Sequence, residues 1–130
     1  MNGLSASDES ASQRERLEVS RASTTAQIAA LRRDFDGIVE ANALVAVDDE
    51  HDPEGSSTAF ERAHVASLLR RAAEHLEEVD RALDRLERGV YGWCEGCGRR
   101  ISAARLEARP EAAACLRCAG AGRRHGPDTL

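Results

Sequence analysis

The sequence predicts a mainly α-helical protein, in which a long antiparallel helical hairpin is followed by a small module organised by four cysteines. Two observations predict the hairpin: apolar residues recur at steps of three and four in two long runs, and a short acidic segment separates the runs. The third observation is a pair of Cys-x-x-Cys motifs near the C-terminus. With 130 residues, of which only 3% are aromatic, we expect one domain whose interior is mostly Ala, Leu and Val.

The first apolar run predicts a long helix that begins near residue 12. Residues 1–11 are rich in Ser, Asp and Glu and show no apolar period, so we expect a disordered tail there. The apolar positions of the run are Leu17, Ile28, Leu31, Phe35, Ile38 and Val45. Asn42 interrupts the pattern, and we interpret it as a tolerated polar residue of the helix seam, with a register-setting role as the alternative.

The second run predicts an amphipathic helix that pairs with the first. Its apolar positions are Val65, Leu69, Ala72, Leu76, Val79, Leu83, Leu86 and Val90. On the opposite face Glu77 precedes Arg81, and Asp84 precedes Arg88, by four residues, which is the spacing of stabilising ion pairs on a helix surface. We therefore expect a coiled-coil hairpin over residues 12–93.

The segment between the runs, about residues 48–56, is polar and acidic, so it predicts a turn between antiparallel helices. The second helix has two possible starts: Pro53 after Asp52, or a capping box formed by Thr58 and Glu61. The acidic residues that give the hairpin an acidic tip are Asp48, Asp49, Glu50, Asp52 and Glu54.

The cysteine pairs predict a four-cysteine zinc finger over residues 94–118, followed by a short C-terminal tail, 119–130. The two Cys-x-x-Cys motifs are separated by 17 residues, which is within the spacing of a zinc site. The predicted ligands are Cys94, Cys97, Cys115 and Cys118. Four thiolates around Zn²⁺ leave no open coordination position, so the site is expected to be structural. We expect Arg99, Arg100 and Arg117 to offset the net negative charge of the zinc–thiolate centre.

Other chemistry is less consistent with the sequence. A thiol redox centre is an alternative use of Cys-x-x-Cys, but two paired motifs without a βαβ pattern argue against it. The chain has no Lys, which excludes lysine Schiff bases, and no nucleophile elbow, so we expect no enzyme. The four histidines, which we expect to be solvated or packed rather than ligands, are His51, His64, His75 and His125.

Charge and hydropathy bear on location and partners. The net charge of −5 argues against general attraction to nucleic acid phosphate. No apolar run approaches the ~20 residues of a membrane span, and the N-terminus lacks the features of a signal peptide. We therefore expect a cytoplasmic protein that does not bind membranes.

The residues around the cysteines resemble the zinc finger of the DksA/TraR family. The stretches that carry the resemblance are Tyr91-Gly92-Trp93-Cys94-Glu95-Gly96-Cys97-Gly98, Ile101, Arg105-Leu106-Glu107-Ala108-Arg109-Pro110 and Cys115-Leu116-Arg117-Cys118. The resemblance implies a bacterial transcription factor that binds RNA polymerase directly. It also implies that the coiled coil enters the secondary channel of the polymerase, that tip acids lie near the catalytic centre, and that no DNA sequence is read.

This chain departs from the family pattern in three features. Studied members carry two Asp three residues apart at the tip, followed by an Ala two further on, and here the counterpart is Asp52 or Glu54. Some members bind ppGpp partly through Lys, and we do not transfer that ligand because this chain has no Lys. Longer members have a helix after the finger, which we do not expect here because Gly120, Gly122 and Gly126-Pro127 follow Cys118.

The leading hypothesis is thus a non-enzymatic regulator that binds RNA polymerase through an acid-tipped hairpin next to a zinc finger. The alternative is a zinc-finger adaptor whose hairpin binds another protein or itself. A third hypothesis is nucleic-acid binding by the arginine excess after Cys97, from Arg99, Arg100, Arg105, Arg109, Arg117, Arg123 and Arg124.

Overall fold

The computed structural model describes residues 6–45 and 53–124. The helices are α1 (Ala6–Val45), α2 (Pro53–Glu87), α3 (Ala103–Ala108) and α4 (Leu116–Arg124). Within the described ranges, β pairing is limited to an isolated antiparallel bridge between Trp93 and Arg100. The predicted class, mainly α with two long helices, is confirmed.

Helix α1 begins earlier than predicted. It starts at Ala6, so residues 6–11, which we expected to be part of a disordered tail, form its first turns. Asp8 and Glu9 lie in the first turn, where negative charge interacts favourably with the helix dipole. The acidic composition that suggested a tail therefore also favours a helix start.

Helix α2 begins at Pro53, the first of the two predicted starts, because the fixed φ of proline suits the first helical position. Residues 53–56, expected in the turn, are thus helical. The helix stops in a Schellman motif: Gly89 (φ 78°) donates its N–H to the carbonyl of Leu86 at 3.2 Å, and Val90 donates to Arg85 at 2.9 Å. Val90, expected in the helix seam, lies beyond the helix end and is 40% exposed.

The chain divides into two compact units. The first, called the finger unit, contains Met1–Arg21 and Glu77–Leu130, and the second, called the hairpin unit, contains Ala22–Leu76.

In the finger unit, α1 and α2 are antiparallel. Leu17 of α1 is fully buried in a cluster with Val79 and Ala82 of α2, and Arg21 Nε donates to Asp80 Oδ1 at 2.6 Å. The predicted pairs along α2 are also present: Arg81 lies 3.9 Å from Glu77, and Arg88 lies 2.9 Å from Asp84.

In the hairpin unit, the predicted seam positions are the less exposed ones. The half-buried residues at these positions are Ile28, Leu31, Phe35, Ile38, Val65, Leu69 and Leu76, and Ala72 is buried. Thr24 is also buried, at 5% exposure, four residues before Ile28. It occupies a heptad position that the apolar pattern leaves empty, which explains why the pattern did not identify it.

The rest of the finger unit has its own small core. Cys94, Ile101, Leu106 and Ala112 are buried together, and Tyr91 packs against both this cluster and the Leu17 cluster. Helix α3 is capped by Ser102, whose Oγ accepts the N–H of Arg105 at 3.2 Å.

Helix α4 corrects the prediction of a C-terminal tail over 119–130, because the helix continues to Arg124. Its first turn is stabilised by a hydrogen bond from Cys118 N–H to Cys115 Sγ at 3.4 Å, an interaction that offsets the low helix propensity of the glycines. None of the described helices is long and apolar enough to cross a membrane.

Candidate metal centre

The structure brings the four predicted cysteines together. Cys94 and Cys97 lie in the loop after α2, and Cys115 and Cys118 lie at the start of α4. Their sulfur atoms all lie within 4.8 Å of one another, and the Sγ atoms of Cys97 and Cys115 are 4.0 Å apart. Zn–S bonds of about 2.3 Å in a tetrahedron place sulfurs ~3.8 Å apart, so this donor set fits a zinc ion.

The first cysteine pair lies in a tight loop closed by backbone hydrogen bonds. Cys94 N–H donates to Arg99 at 2.7 Å, Ile101 N–H donates to Gly92 at 2.8 Å, and Gly98 N–H donates to Cys94 at 2.9 Å. Gly98 has a φ of 77°, a conformation that strains residues with a Cβ. The Trp93–Arg100 bridge flanks this loop, and the guanidinium of Arg100 lies 4.9 Å from the Trp93 ring centroid.

Backbone N–H groups point at the sulfurs and favour thiolates. Cys94 Sγ accepts from Cys115 N–H at 3.2 Å and from Gly96 N–H at 3.3 Å. Mainly because of the bond from Cys115, the pKa of Cys94 is lowered to about 6, and the bond from Cys118 N–H lowers the pKa of Cys115.

Cys118 behaves oppositely. Hydrogen bonding to the Cys115 and Cys94 sulfurs raises the pKa of Cys118 to about 12. Sulfurs this close repel one another when all are thiolates, so without a cation Cys118 keeps its proton. A divalent metal removes that penalty, and a closed set of four thiolates gives it a structural rather than a catalytic role.

Gly96 has a steric role at this centre. A Cβ at this position would lie 3.0 Å from Cys118 Sγ and 3.2 Å from Cys118 Cβ. The two cysteine pairs can therefore approach each other only because residue 96 has no side chain.

The segment before the second pair is held by hydrogen bonds that sequence analysis did not identify. Arg85 of α2 is only 4% exposed, and its Nη2 lies 3.4 Å from the carbonyl oxygens of both Glu111 and Ala112. Glu111 is 7% exposed, and its carboxylate accepts from Arg109 Nε at 3.3 Å. In sequence, both charged residues look like ordinary surface positions, and nothing local distinguishes them.

The other predicted site residues have different outcomes. The acids Asp48, Asp49, Glu50 and Asp52 lie outside the described residues, and Glu54 is in the first turn of α2 with its side chain outside them. Arg100 stacks on Trp93, whereas the charge-offsetting role of Arg99 and Arg117 stays a prediction. His64 is exposed, and His51 and His125 lie outside the described residues.

Sequence comparisons agree with the geometry of the finger. The family described as "Prokaryotic dksA/traR C4-type zinc finger" matches residues 89–121. The RNA polymerase-binding transcription factor DksA of Caulobacter vibrioides is 42% identical over 57 residues, which cover 44% of this chain and 40% of that protein. The factor of the same name from Escherichia coli K12 is 40% identical over 43 residues, covering 33% of this chain and 28% of that protein. The chain thus spans well under half the length of these curated relatives.

The fold comparison extends over almost the whole chain. The structure of transcription factor DksA2 from Pseudomonas aeruginosa is similar with a TM-score of 0.71 and 26% sequence identity, covering 96% of this chain and 92% of that one. The finger match, the clustered thiols and the shared helical fold agree. Residues 89–121 are therefore a DksA/TraR C4-type zinc finger whose cofactor is zinc, and the chain as a whole is similar in fold to DksA2.

Proposed function

We propose that the chain is a non-enzymatic transcription regulator that binds RNA polymerase directly. The observation that carries the proposal is the likeness to DksA2 over 96% of the chain, combined with the family finger at residues 89–121. Relatives of the finger are named RNA polymerase-binding transcription factors. The proposal places the protein in the cytoplasm and requires neither DNA sequence recognition nor ppGpp.

In this proposal, Cys94, Cys97, Cys115 and Cys118 hold one Zn²⁺ per chain. The mutual distances of their sulfurs support this ligand set. The metal supplies folding energy rather than chemistry, since a closed four-thiolate site has no position for a substrate. The chain's own residues provide the surface that binds the polymerase.

The hairpin is proposed to act through its acidic tip inside the secondary channel of the polymerase. Five acids lie among the seven residues from Asp48 to Glu54, at the connection between the two long helices. Carboxylates presented there change the electrostatic field of a site that contains basic residues or Mg²⁺, and this needs no catalytic group. The helix sides and the finger provide the buried area on which affinity depends.

The test compares a tip variant with the wild-type protein. The triple variant Asp49→Asn, Asp52→Asn, Glu54→Gln is expected to keep its zinc, its helicity and its affinity for RNA polymerase, and to lose its effect on transcription in vitro. Zinc content, circular dichroism, pull-down of purified polymerase and a transcription assay measure these properties.

A matched control removes the same charge elsewhere on the hairpin. Asp34, Asp36 and Glu40 are exposed on α1, so Asp34→Asn, Asp36→Asn, Glu40→Gln should still regulate transcription. If the tip variant regulates transcription as well as wild type, the tip acids only make the turn soluble and have no regulatory role. A wild-type protein that does not bind polymerase would reject the proposal and leave the zinc-finger adaptor.

A further inference from the structure

Five consecutive carbonyl groups immediately before Cys115 are all hydrogen-bonded, and their donors come from separate places in the finger unit. Tyr91 Oη donates to Pro110 at 2.8 Å, and Arg85 Nη2 donates to Glu111 and Ala112 at 3.4 Å each. Glu95 N–H donates to Ala113 at 2.8 Å, and Arg105 Nε donates to Ala114 at 2.8 Å. Residues 110–114, called the anchor segment, are therefore held along their full length.

Among these donors, Arg85 of α2 contacts residues next to both cysteine pairs. Its Nη2 reaches the anchor segment, and its Nη1 lies 3.7 Å from the carboxylate of Glu95, the residue after Cys94. Its side chain is 4% exposed, although the guanidinium is permanently charged. Its Nε has no hydrogen-bond partner among the described residues, so the burial is not optimal for Arg85 itself.

A buried charge with an unpaired N–H is a poor way to stabilise a helix pair. Desolvation of the guanidinium costs free energy, which two hydrogen bonds at 3.4 Å and an ion pair at 3.7 Å offset only in part. The geometry of the finger unit, however, needs a group that reaches the anchor segment and Glu95 together from one helix position, and the two terminal nitrogens of Arg85 do so: Nη2 faces the carbonyls of Glu111 and Ala112, and Nη1 faces Glu95.

We infer that Arg85 is a positioning residue of the zinc site, which holds the anchor segment so that Cys115 and Cys118 face Cys94 and Cys97. This inference rests on the proposed ligand set of four cysteines and is independent of RNA polymerase. The chain of contacts is direct: the anchor segment ends at Ala114, and the next N–H, that of Cys115, donates to Cys94 Sγ at 3.2 Å. Outer contacts of this kind commonly determine metal affinity without touching the metal.

The test uses the full chain with Arg85→Met and Arg85→Lys. Methionine fills the volume without a donor, and lysine keeps the charge but has one terminal nitrogen in place of the two that Arg85 directs at the anchor segment and at Glu95. Both variants are expected to bind zinc about 10-fold more weakly or worse, in competition with a chromophoric chelator. The controls are Arg88→Met and Arg88→Lys, since Arg88 directly follows α2, is exposed and pairs with Asp84 of that helix at 2.9 Å. They should bind zinc as wild type does.

A second readout does not depend on bound metal. Hydrogen exchange of the metal-free protein, resolved to individual amides, should show faster exchange at Cys115 in both Arg85 variants than in wild type. Tyr91→Phe removes the Oη donor to the Pro110 carbonyl and keeps the ring, so this variant should also bind zinc more weakly than wild type. It also keeps the inference testable if Arg85→Met fails to fold.

The outcomes separate the inference from the ligand set on which it depends. The inference is supported if the Arg85 variants bind zinc more weakly while their helicity and the melting temperature of α2 stay at the wild-type values. Unchanged zinc affinity and unchanged Cys115 exchange in both Arg85 variants would overturn it. If the wild-type protein binds much less than one zinc ion per chain, the set of four cysteine ligands is rejected. In that case, Cys115 amide exchange in the metal-free proteins still tests whether Arg85 holds the anchor segment.

Discussion

Substitution of Gly96 by alanine tests whether close approach of the two cysteine pairs sets zinc affinity. The added Cβ would lie 3.0 Å from Cys118 Sγ and 3.2 Å from Cys118 Cβ. Ordinary van der Waals contact begins at about 3.4 Å, so Cys118 must move by a few tenths of an ångström. Zn–S bonds of structural sites are about 2.3 Å long, so a displaced Cys118 sulfur is less well placed to bind the metal.

The cost of the substitution follows from this displacement. Overpacking of a well-packed site typically costs about 1–3 kcal/mol. If this strain falls on the zinc-bound state, the dissociation constant for zinc rises by roughly 5- to 150-fold, because each 1.4 kcal/mol is about a factor of ten. The three atoms nearest to a Cβ on residue 96 belong to Cys118 and Cys94, outside α1 and α2, so the helicity of these two helices should persist.

The assay is chelator competition at pH 7.5, with circular dichroism as a measure of folding. Gly120→Ala is the matched control, because nothing lies within 4 Å of a Cβ built on this residue of α4. It should leave zinc affinity unchanged and stabilise α4 by about 0.5–1 kcal/mol. If Gly96→Ala binds zinc as tightly as wild type, the steric reasoning is wrong.

The remaining predictions concern packing, the helix end and pH. Leu17→Ala should lower the free energy of unfolding in urea by about 2–5 kcal/mol, because Leu17 is fully buried. Val19 is 63% exposed, so Val19→Ala should lower it by under about 0.5 kcal/mol. Equal costs for the two variants would contradict the packing of Leu17. Gly89→Ala should cost about 1–2 kcal/mol in the same assay, because its φ is 78°. Zinc affinity should rise with pH, because Cys94, with a pKa of about 6, and Cys118, with a pKa of about 12, must lose protons to bind the metal. Calorimetry in two buffers measures the number of protons released on zinc binding. A zinc affinity that does not change with pH would refute this prediction.

Much of the fold was predictable because its signals are local. Heptad spacing depends only on the helical period, so Leu17, Ile28, Ala72 and Val79 were recognised as seam residues without knowledge of their partners. The cysteine spacing likewise identified the four thiols that the fold brings within 4.8 Å.

Helix ends were harder, because composition supports more than one state. Acidic and serine-rich residues suit both a disordered tail and a helix N-terminus, and residues 6–11 proved helical. Glycines after Cys118 suggested a tail, yet the N–H···S bond from Cys118 to Cys115 stabilises the first turn of α4.

The sequence by itself determined the two long helices and the four cysteines that the fold brings together, since both follow from short-range spacing and residue chemistry. The tertiary structure alone decided which charged residues are buried. Arg85 and Glu111 are 26 positions apart and look like surface residues, but the fold places the Arg85 guanidinium against the carbonyls of residues 111 and 112. Burial of a charge depends on whether distant backbone groups can receive its hydrogen bonds, and no local pattern contains that information.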